Sequence, residues 1–191
     1  GQTDEKTSEV INQADGGILF IDEAYGLDDG YASQKGFGEE ATNVIVKQME
    51  DRRDRLVVIL AGYKKETLEY MNLNPGLLSR VPTIVDFPDY SDDELMVIAD
   101  RIAERRDLSI DDDAKPALRN VLSRSRNEPG FGNARTVENI LESAQRNVVN
   151  RTSPLGNLAT EKELRTILTG DIPETAPPRT KVIGFGPATY L

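Results

Sequence analysis

The chain of 191 residues contains no cysteine, no histidine and no tryptophan. Because it has no cysteine, it has neither a disulfide scaffold nor a thiol nucleophile. Because it has no histidine, Ser–His and Cys–His catalytic systems are excluded, and a structural zinc site is strongly disfavoured. A hard cation bound by carboxylates stays open, since such cations take oxygen ligands.

Basic residues are also in the minority. The chain has 33 acidic and 23 basic side chains and a formal net charge of −10, and such a surface repels the backbone of nucleic acids. The densest basic runs, residues 51–55 and 104–107, are interleaved with acids and fit solvated helix faces and ends. No apolar run reaches the length of a membrane span, and no signal peptide opens the chain. We therefore expect no nucleic-acid partner, no membrane span and a cytoplasmic location.

The first 88 residues alternate between predicted helices and strands. Residues 18–21 and 56–60 are continuously apolar and indicate buried strands, and residues 81–87 predict a third strand. Between and before them the sequence predicts helices at 3–14, 39–53 and 64–71 and a loop with a turn at 72–80. Apolar strands that alternate with helices predict an α/β fold with a parallel sheet covered by helices.

After Pro88 the pattern becomes wholly helical. Ser91 and Glu94 form a capping box before an amphipathic helix, and a second box, Thr160 with Glu163, opens a shorter one. Further helices are predicted near residues 112–126 and 133–150. We therefore predict an α/β segment at 1–88, a helical subdomain at 89–170 and a tail at 171–191. The tail holds four of the ten prolines, which indicates a linker or docking arm.

Two adjacent carboxylates, Asp22 and Glu23, follow the first predicted strand. A parallel sheet delivers the C-terminal residues of its strands to the edge where ligands bind. One carboxylate there can hold a hydrated magnesium ion that bridges nucleotide phosphates, and a second can polarise an attacking water. Four apolar residues before Asp-Glu form the Walker B pattern of nucleoside triphosphatases. The motif alone fits a structural interpretation equally well, in which Asp22 caps the next turn and Glu23 is solvated.

Six motifs along residues 1–150 carry a family resemblance. They are "GQTDEKTSEVI", "GGILFIDEAYGL", "LVVILAGYKKE", "NPGLLSRV", "DFPDYSDDEL" and "GFGNARTVENI". In this order and spacing they resemble the AAA+ ATPases, in particular the CbxX/CfxQ branch of red-type rubisco activases, sporulation proteins and type VII secretion ATPases. The resemblance implies a partial P-loop NTPase-type sheet, without its N-terminal strand and P-loop, followed by a small α-helical lid subdomain.

The resemblance also assigns roles to five residues. Asp22 matches the magnesium ligand (through water) and Glu23 the catalytic base. Tyr63 stands at the sensor 1 position, where many AAA+ proteins have Asn, although packing at a strand end explains this tyrosine nearly as well. Arg80 matches the arginine finger, which reaches the γ-phosphate bound by a neighbouring subunit; the alternative is a surface Arg at a helix end. Arg135 matches sensor 2, which contacts the same phosphate from the lid.

Two further features of the motifs concern structure. Asn133 is predicted to cap the helix that carries Arg135. Residues 26–40 stand where the family has its second pore loop, which faces the channel of the ring, and a disordered surface loop explains them equally well.

The activity implied by the resemblance is hydrolysis of ATP with Mg²⁺, in a homo-oligomeric ring that remodels or threads a protein client. The chain has no G-x-x-x-x-G-K-[ST] phosphate cradle. We therefore expect it to begin inside the ATPase domain, to bind nucleotide poorly by itself and to hydrolyse none.

Two other functions stay open. One is a catalytically inactive AAA+-like scaffold or interaction module, and the weaker one is a standalone phosphohydrolase that uses Asp22, Glu23 and magnesium. A phosphate cradle within about 50 residues upstream of Gly1 would favour catalysis over the scaffold.

Overall fold

The computed structural model describes residues 2–28 and 37–177 of the chain. The chain forms two compact units, residues 1–87 and residues 88–191. No helix within the described ranges is long and apolar enough to cross a membrane.

The first unit alternates helices and strands, as its periodicity predicts. Its elements are α1 (Gln2–Gln13), β1 (Ile18–Ile21), α2 (Phe37–Asp51), β2 (Val57–Leu60), α3 (Lys64–Leu73) and α4 (Pro75–Arg80), with a 3-10 turn at Ala24–Leu27. Strands β1 and β2 pair in parallel, with Ile18 opposite Val57 and Ile21 opposite Leu60. The predicted α/β arrangement with a parallel sheet is confirmed.

Helices cover one face of this sheet. Leu19 is buried in a cluster with Ile11 of α1 and Ile45 of α2, so both helices pack on the same side of the strands. The alternate side chains point away from that cluster and stay exposed: Ile18, Phe20, Val57 and Ile59. The prediction of fully buried strands is therefore wrong for one face, because the described helices pack on the other.

The third predicted strand does not form. Residues 81–90 have no regular structure, and Ile84, Val85 and Phe87 are exposed. The composition of this segment favours a strand, but a strand is stabilised by main-chain hydrogen bonds to a neighbour. Within the described residues, the sheet of this unit consists of β1 and β2 only.

Helix α4 occupies most of the segment predicted as a loop and turn. The side chain of Asn74 accepts hydrogen bonds from the main-chain N–H groups of Gly76 (2.9 Å) and Leu77 (3.3 Å). The proline that follows Asn74 stands at the first helical position, where no N–H group is needed. Leu77 is fully buried. The Asn-Pro-Gly sequence is thus a helix start, and it places Arg80 at the helix's end.

The second unit is helical apart from one minimal strand pair. Its elements are α5 (Asp92–Arg105), β3 (Ser109–Ile110), α6 (Lys115–Ser125), α7 (Ala134–Thr152), α8 (Glu161–Arg165) and β4 (Thr166–Ile167), with 3-10 turns at Asp112–Ala114, Ser153–Leu158 and Thr169–Asp171. The predicted helices are confirmed. The parallel pair of β3 with β4 was not predicted, because two residues are too few to show a strand period.

Both predicted capping boxes are present. The Glu94 carboxylate accepts from the main-chain N–H of Ser91 (2.7 Å), and the Ser91 hydroxyl accepts from the main-chain N–H of Glu94 (3.3 Å). Thr160 and Glu163 repeat this arrangement with 2.8 and 3.2 Å. These hydrogen bonds, first of all those from the main chain, hold the pKa of each glutamate below its usual value.

The core of the second unit is formed by α5, α6 and α7. Its fully buried side chains are Leu95, Ala99, Leu118, Leu122, Val137, Ile140, Leu141 and Ala144. Ile172 belongs to the same cluster, and Asp171 is 2% exposed and paired with Arg151 at 3.0 Å. The first residues of the segment predicted as a tail therefore pack within this unit. Residues 178–191 lie outside the described part of the chain.

Candidate active site

Asp22 and Glu23 lie directly after β1, and both side chains are exposed. The Asp22 carboxylate accepts a hydrogen bond from the main-chain N–H of Glu23 at 3.0 Å. This contact joins adjacent residues, and the 3-10 turn that follows at Ala24–Leu27 has no side-chain cap. The capping hydrogen bond that the structural interpretation predicted for Asp22 is therefore not present. Among the described residues, no hydrogen bond or ion pair occupies the Glu23 carboxylate.

The main chain at Glu23 adopts a left-handed conformation, with φ 48° and ψ 45°. Ala61, the residue after β2, fixes the turn on both sides: the Ala24 N–H donates to the Ala61 carbonyl (3.0 Å), and the Ala61 N–H donates to the Ile21 carbonyl (2.8 Å). This conformation is uncommon for a residue with a side chain and costs on the order of 1–3 kcal/mol. The direction of the Glu23 side chain is therefore set by the sheet and not by a flexible loop.

Tyr25 and Tyr63 join the ends of the two strands. Their rings stack with centroids 6.3 Å apart and an interplanar angle of 30°. Gly62 precedes Tyr63, and a Cβ atom at Gly62 would come within 2.7 Å of the Thr67 hydroxyl and 2.8 Å of the Tyr25 ring. A glycine is required here because the ring of Tyr25 occupies the space of a side chain.

The sequence motifs did not predict Tyr25 as a site residue. The pattern that indicates it is a tyrosine shortly after the end of each of the two parallel strands. Partial burial raises the pKa of the Tyr25 hydroxyl, and the negative charge of Glu23 raises it further.

Arg80 is folded back onto its own unit. Its guanidinium donates to the Gly76 carbonyl at 3.2 Å, and its Nε lies 3.3 Å from the Glu50 carboxylate. The Nε contact is an ion pair without hydrogen-bond geometry, since this buried nitrogen has no hydrogen-bond partner among the described residues. In the single chain, Arg80 is therefore occupied by Glu50 and does not project freely.

Arg135 lies in the second unit, in the first turn of α7. Its side chain is exposed, and within residues 2–28 and 37–177 no side chain forms an ion pair or hydrogen bond with it. Asn133 precedes this turn but makes no side-chain cap, so its predicted capping role is wrong. Its amide instead binds Asp89 (2.7 Å) and the main-chain N–H of Tyr90 (3.0 Å).

The structure thus brings three of the five predicted site residues to one edge of the first unit: Asp22, Glu23 and Tyr63. Arg80 lies in the same short helix, α4, as Leu77. Leu77 shares a buried cluster with Ala24, the residue after Glu23. The predicted pore loop at 26–40 lies largely in residues 29–36, outside the described part of the chain.

The acidic side chains near β1 fit a magnesium ion that takes most of its ligands from water and phosphate oxygens. Within the described residues, no group of three or more acidic side chains could hold a metal ion. Asp22 offers one hard oxygen donor at the strand end, and a protein-bound magnesium ion commonly takes one or two carboxylates and completes its shell with water and phosphate oxygens. Asp22 would thus contribute to such a site without forming it alone.

Comparison with protein families assigns both units. Residues 1–89 match the ATPase family associated with various cellular activities (AAA), and residues 91–181 match the AAA lid domain. The chain belongs to the AAA ATPase family. The two matches meet near residue 90, close to the division between the two units at 87/88.

The relatives of this AAA ATPase chain agree with the CbxX/CfxQ resemblance. Protein CfxQ homolog of Trieres chinensis is 41% identical over 175 residues, which are 90% of this chain and 59% of the relative. Stage V sporulation protein K of Bacillus subtilis is 41% identical over 90% of this chain and 53% of the relative. Protein CbbX of Cereibacter sphaeroides is 42% identical over 79% and 48%, respectively. The chain therefore spans about half the length of the relatives it matches.

Proposed function

We propose that this chain is part of a AAA+ ATPase that couples ATP hydrolysis in a ring oligomer to the remodelling or threading of a protein client. The observation that carries the proposal is the Asp22–Glu23 pair at the end of a parallel strand, with Glu23 held in a strained turn against β2. The family match supports the use of ATP. A cytoplasmic location belongs to the same proposal.

The two carboxylates have different roles in ATP hydrolysis. Asp22 is the residue that would hold magnesium, through water. When bound, Mg·ATP supplies the γ-phosphoryl group and the charge neutralisation that its transfer requires. Glu23 accepts the proton of the attacking water. A turn fixed by main-chain hydrogen bonds suits this role, since a general base has to be held within hydrogen-bond reach of that water.

Tyr63 acts beside Glu23 as a hydrogen-bond donor that orients the water. The stacking of Tyr25 on Tyr63 supports this assignment, because it connects Tyr63, which follows β2, to the turn that carries Glu23.

The two arginines supply positive charge to the phosphates. Arg80 serves the nucleotide of a neighbouring subunit, and to do so it exchanges the Glu50 carboxylate for a phosphate oxygen. Arg135 serves from the lid, and its unpaired, exposed guanidinium in the described structure supports that role. The need for a neighbour's arginine is the reason to expect a ring.

A catalytically inactive AAA-like scaffold is the alternative. It is the other function that the sequence motifs leave open. A scaffold would keep the fold and the subunit contacts, and it would not depend on Glu23.

ATP turnover by the natural protein that contains this chain separates the two functions. We expect Glu23→Gln to lower turnover by about 100-fold or more and Arg80→Ala by about 1,000-fold. Glu69→Gln is the matched control, because among the described residues the Glu69 carboxylate makes only an exposed contact of 4.0 Å with Lys65. If Glu23→Gln and Arg80→Ala both turn over ATP at the wild-type rate, the assignment is wrong. Absence of turnover in the wild type favours the scaffold.

A further inference from the structure

The main chain of Tyr90 is held from both sides by side chains of the second unit. Asn133 accepts from the Tyr90 N–H at 3.0 Å, and Arg126 donates to the Tyr90 carbonyl at 2.7 Å. We call this arrangement the Tyr90 clamp. Both contacts cross more than 35 positions of the chain, so the segment where the chain enters the second unit is tied to the loop before α7.

Further contacts strengthen the Tyr90 clamp on each side of Tyr90. The Asn133 amide donates to the Asp89 carboxylate at 2.7 Å. Arg126 pairs with Asp92 at 2.7 Å and lies over the Phe131 ring, 5.5 Å from its centroid. The ion pair lowers the pKa of Asp92, mainly through the hydrogen bond from Arg126. The loop 126–133 and residues 89–92 therefore form one connected network.

The backbone of Asn133 is strained. Its φ of 51° and ψ of −119° lie outside the left-handed helical region and in a part of conformational space that favours glycine. A side chain persists in such a conformation when its surroundings hold it there. Here the two hydrogen bonds of the Asn133 amide, with Asp89 and with the main chain of Tyr90, hold the residue in place.

The strained residue lies two positions before Arg135. The Asn133 carbonyl accepts from the Thr136 N–H at 2.9 Å, and the Arg135 N–H donates to the Gly132 carbonyl at 3.0 Å. The turn that starts α7 is therefore built directly on Asn133. A change in the conformation of Asn133 would change the direction in which α7 presents the Arg135 guanidinium.

We propose that Asn133 is a positioning residue for Arg135: through Asp89 and the Tyr90 clamp, it fixes the start of α7 and thereby aims Arg135 at the phosphates of ATP. This inference rests on the proposed function, because it assumes that Arg135 acts on a nucleotide. It predicts that loss of the Tyr90 clamp lowers the rate of ATP hydrolysis because Arg135 is misplaced, and for no other reason.

A swap of two side chains tests the geometry. Asn133→Asp places a carboxylate against that of Asp89, and we expect kcat of the natural protein to fall about tenfold, as a misplaced group can cost. Asp89→Asn keeps the hydrogen bond, because Asn133 can donate to the new amide oxygen, and should stay within about twofold of wild type. The double variant Asn133→Asp/Asp89→Asn restores donor and acceptor and should regain most of the lost rate.

An Arg135→Ala background separates positioning from general stability. If Asn133 acts through Arg135, Asn133→Asp lowers turnover in the wild-type background and adds less than about twofold when Arg135 is already absent. If it serves only the folding of the second unit, the losses multiply. Asn133→Gly is the second variant, should Asn133→Asp fail to fold: it fits the backbone conformation, lacks the amide and should show the same dependence on Arg135.

The outcomes are distinguishable. A wild-type protein without ATP turnover overturns the proposed function and this inference with it. An Arg135→Ala variant as active as wild type overturns the role of Arg135. If the wild type hydrolyses ATP and Arg135→Ala is impaired, two results overturn the inference. One is full activity of the Asn133 variants, and the other is a loss of turnover by Asn133→Asp that is as large in the Arg135→Ala background as in the wild type.

Discussion

The two units of this AAA ATPase chain enclose their apolar residues to different degrees. In the second unit, three helices surround a continuous core in which Leu118, Ile140 and Leu141 are fully buried. In the first unit, helices cover one face of the strands, and Phe20 on the other face is 59% exposed. The carboxylates proposed for catalysis belong to the less enclosed unit. Within the described residues, the second unit therefore has the more continuous core, and the first unit carries the carboxylates proposed for catalysis.

The largest expected effect is a difference in stability between two variants, each with one Ile→Ala substitution in a different unit. Ile140 is fully buried in the second unit, and Ile18 is 63% exposed on the strand β1. Ile140→Ala leaves a cavity and should lower the free energy of unfolding by about 2–5 kcal/mol. Ile18→Ala should cost about 1 kcal/mol or less. Urea unfolding of this chain measures both, and equal losses would contradict the contrast between the units.

The buried ion pair of the second unit gives the next effect. Arg151→Ala leaves the Asp171 carboxylate, which is 2% exposed, without its cation. Because Arg151 itself is partly exposed, we expect a loss of about 2–4 kcal/mol, somewhat less than for a fully buried pair. Arg146→Ala on the exposed side of the same helix should change stability by less than about 0.5 kcal/mol. Thermal or urea unfolding that does not distinguish the two variants would show that the pair contributes nothing.

A glycine in the first unit tests the link between the strand ends. Gly62→Ala forces a Cβ into the Tyr25 ring and the Thr67 hydroxyl, and we expect a loss of about 1–3 kcal/mol, typical of overpacking. Gly26→Ala is the matched control, since nothing lies within 4 Å of the Cβ it would add. Unfolding of both variants checks this. A Gly62→Ala variant as stable as Gly26→Ala would mean that the tyrosine stacking is not tight.

The smallest effect is a pH dependence of the second unit. Glu94 and Glu163 have lowered pKa values in the folded chain, so their stabilisation is complete above the usual pKa of 4.5 and is lost as the pH falls through the lowered values. The thermal midpoint of the second unit should therefore drop on acidification. Ser91→Ala and Thr160→Ala should each weaken this dependence, whereas Ser153→Ala, outside the boxes, should not. If the thermal midpoints of Ser91→Ala and Thr160→Ala depend on pH as steeply as that of the wild type, the capping boxes do not cause the pH dependence.

Local patterns in the sequence predict much of this fold. Both capping boxes, the α/β order of the first unit and the helices of the second follow from spacing over a few residues, and the Asp22–Glu23 pair follows from its place after an apolar strand. Family motifs identify the AAA ATPase. These features depend on neighbours in the sequence, which is why one sequence suffices to predict them.

Features that depend on distant contacts are not visible in the sequence. The segment 81–87 has the composition of a strand, but strand formation depends on a neighbour. The side chain of Asn133 has the chemistry of a cap, but Asp89 and Tyr90, more than 40 positions away, bind it instead. The stacking of Tyr25 on Tyr63 and the left-handed turn of Glu23 likewise depend on the pairing of β1 with β2.

Single-turnover hydrolysis of bound ATP tests the central claim most directly. The natural protein is loaded with radiolabelled ATP and magnesium, freed of excess nucleotide and quenched at intervals, so that conversion of bound ATP to ADP is measured apart from binding and release. We predict that Glu23→Gln retains bound ATP and converts it at least about 100-fold more slowly than wild type or Glu69→Gln. Conversion by Glu23→Gln at the wild-type rate would contradict the assignment of Glu23 as the base.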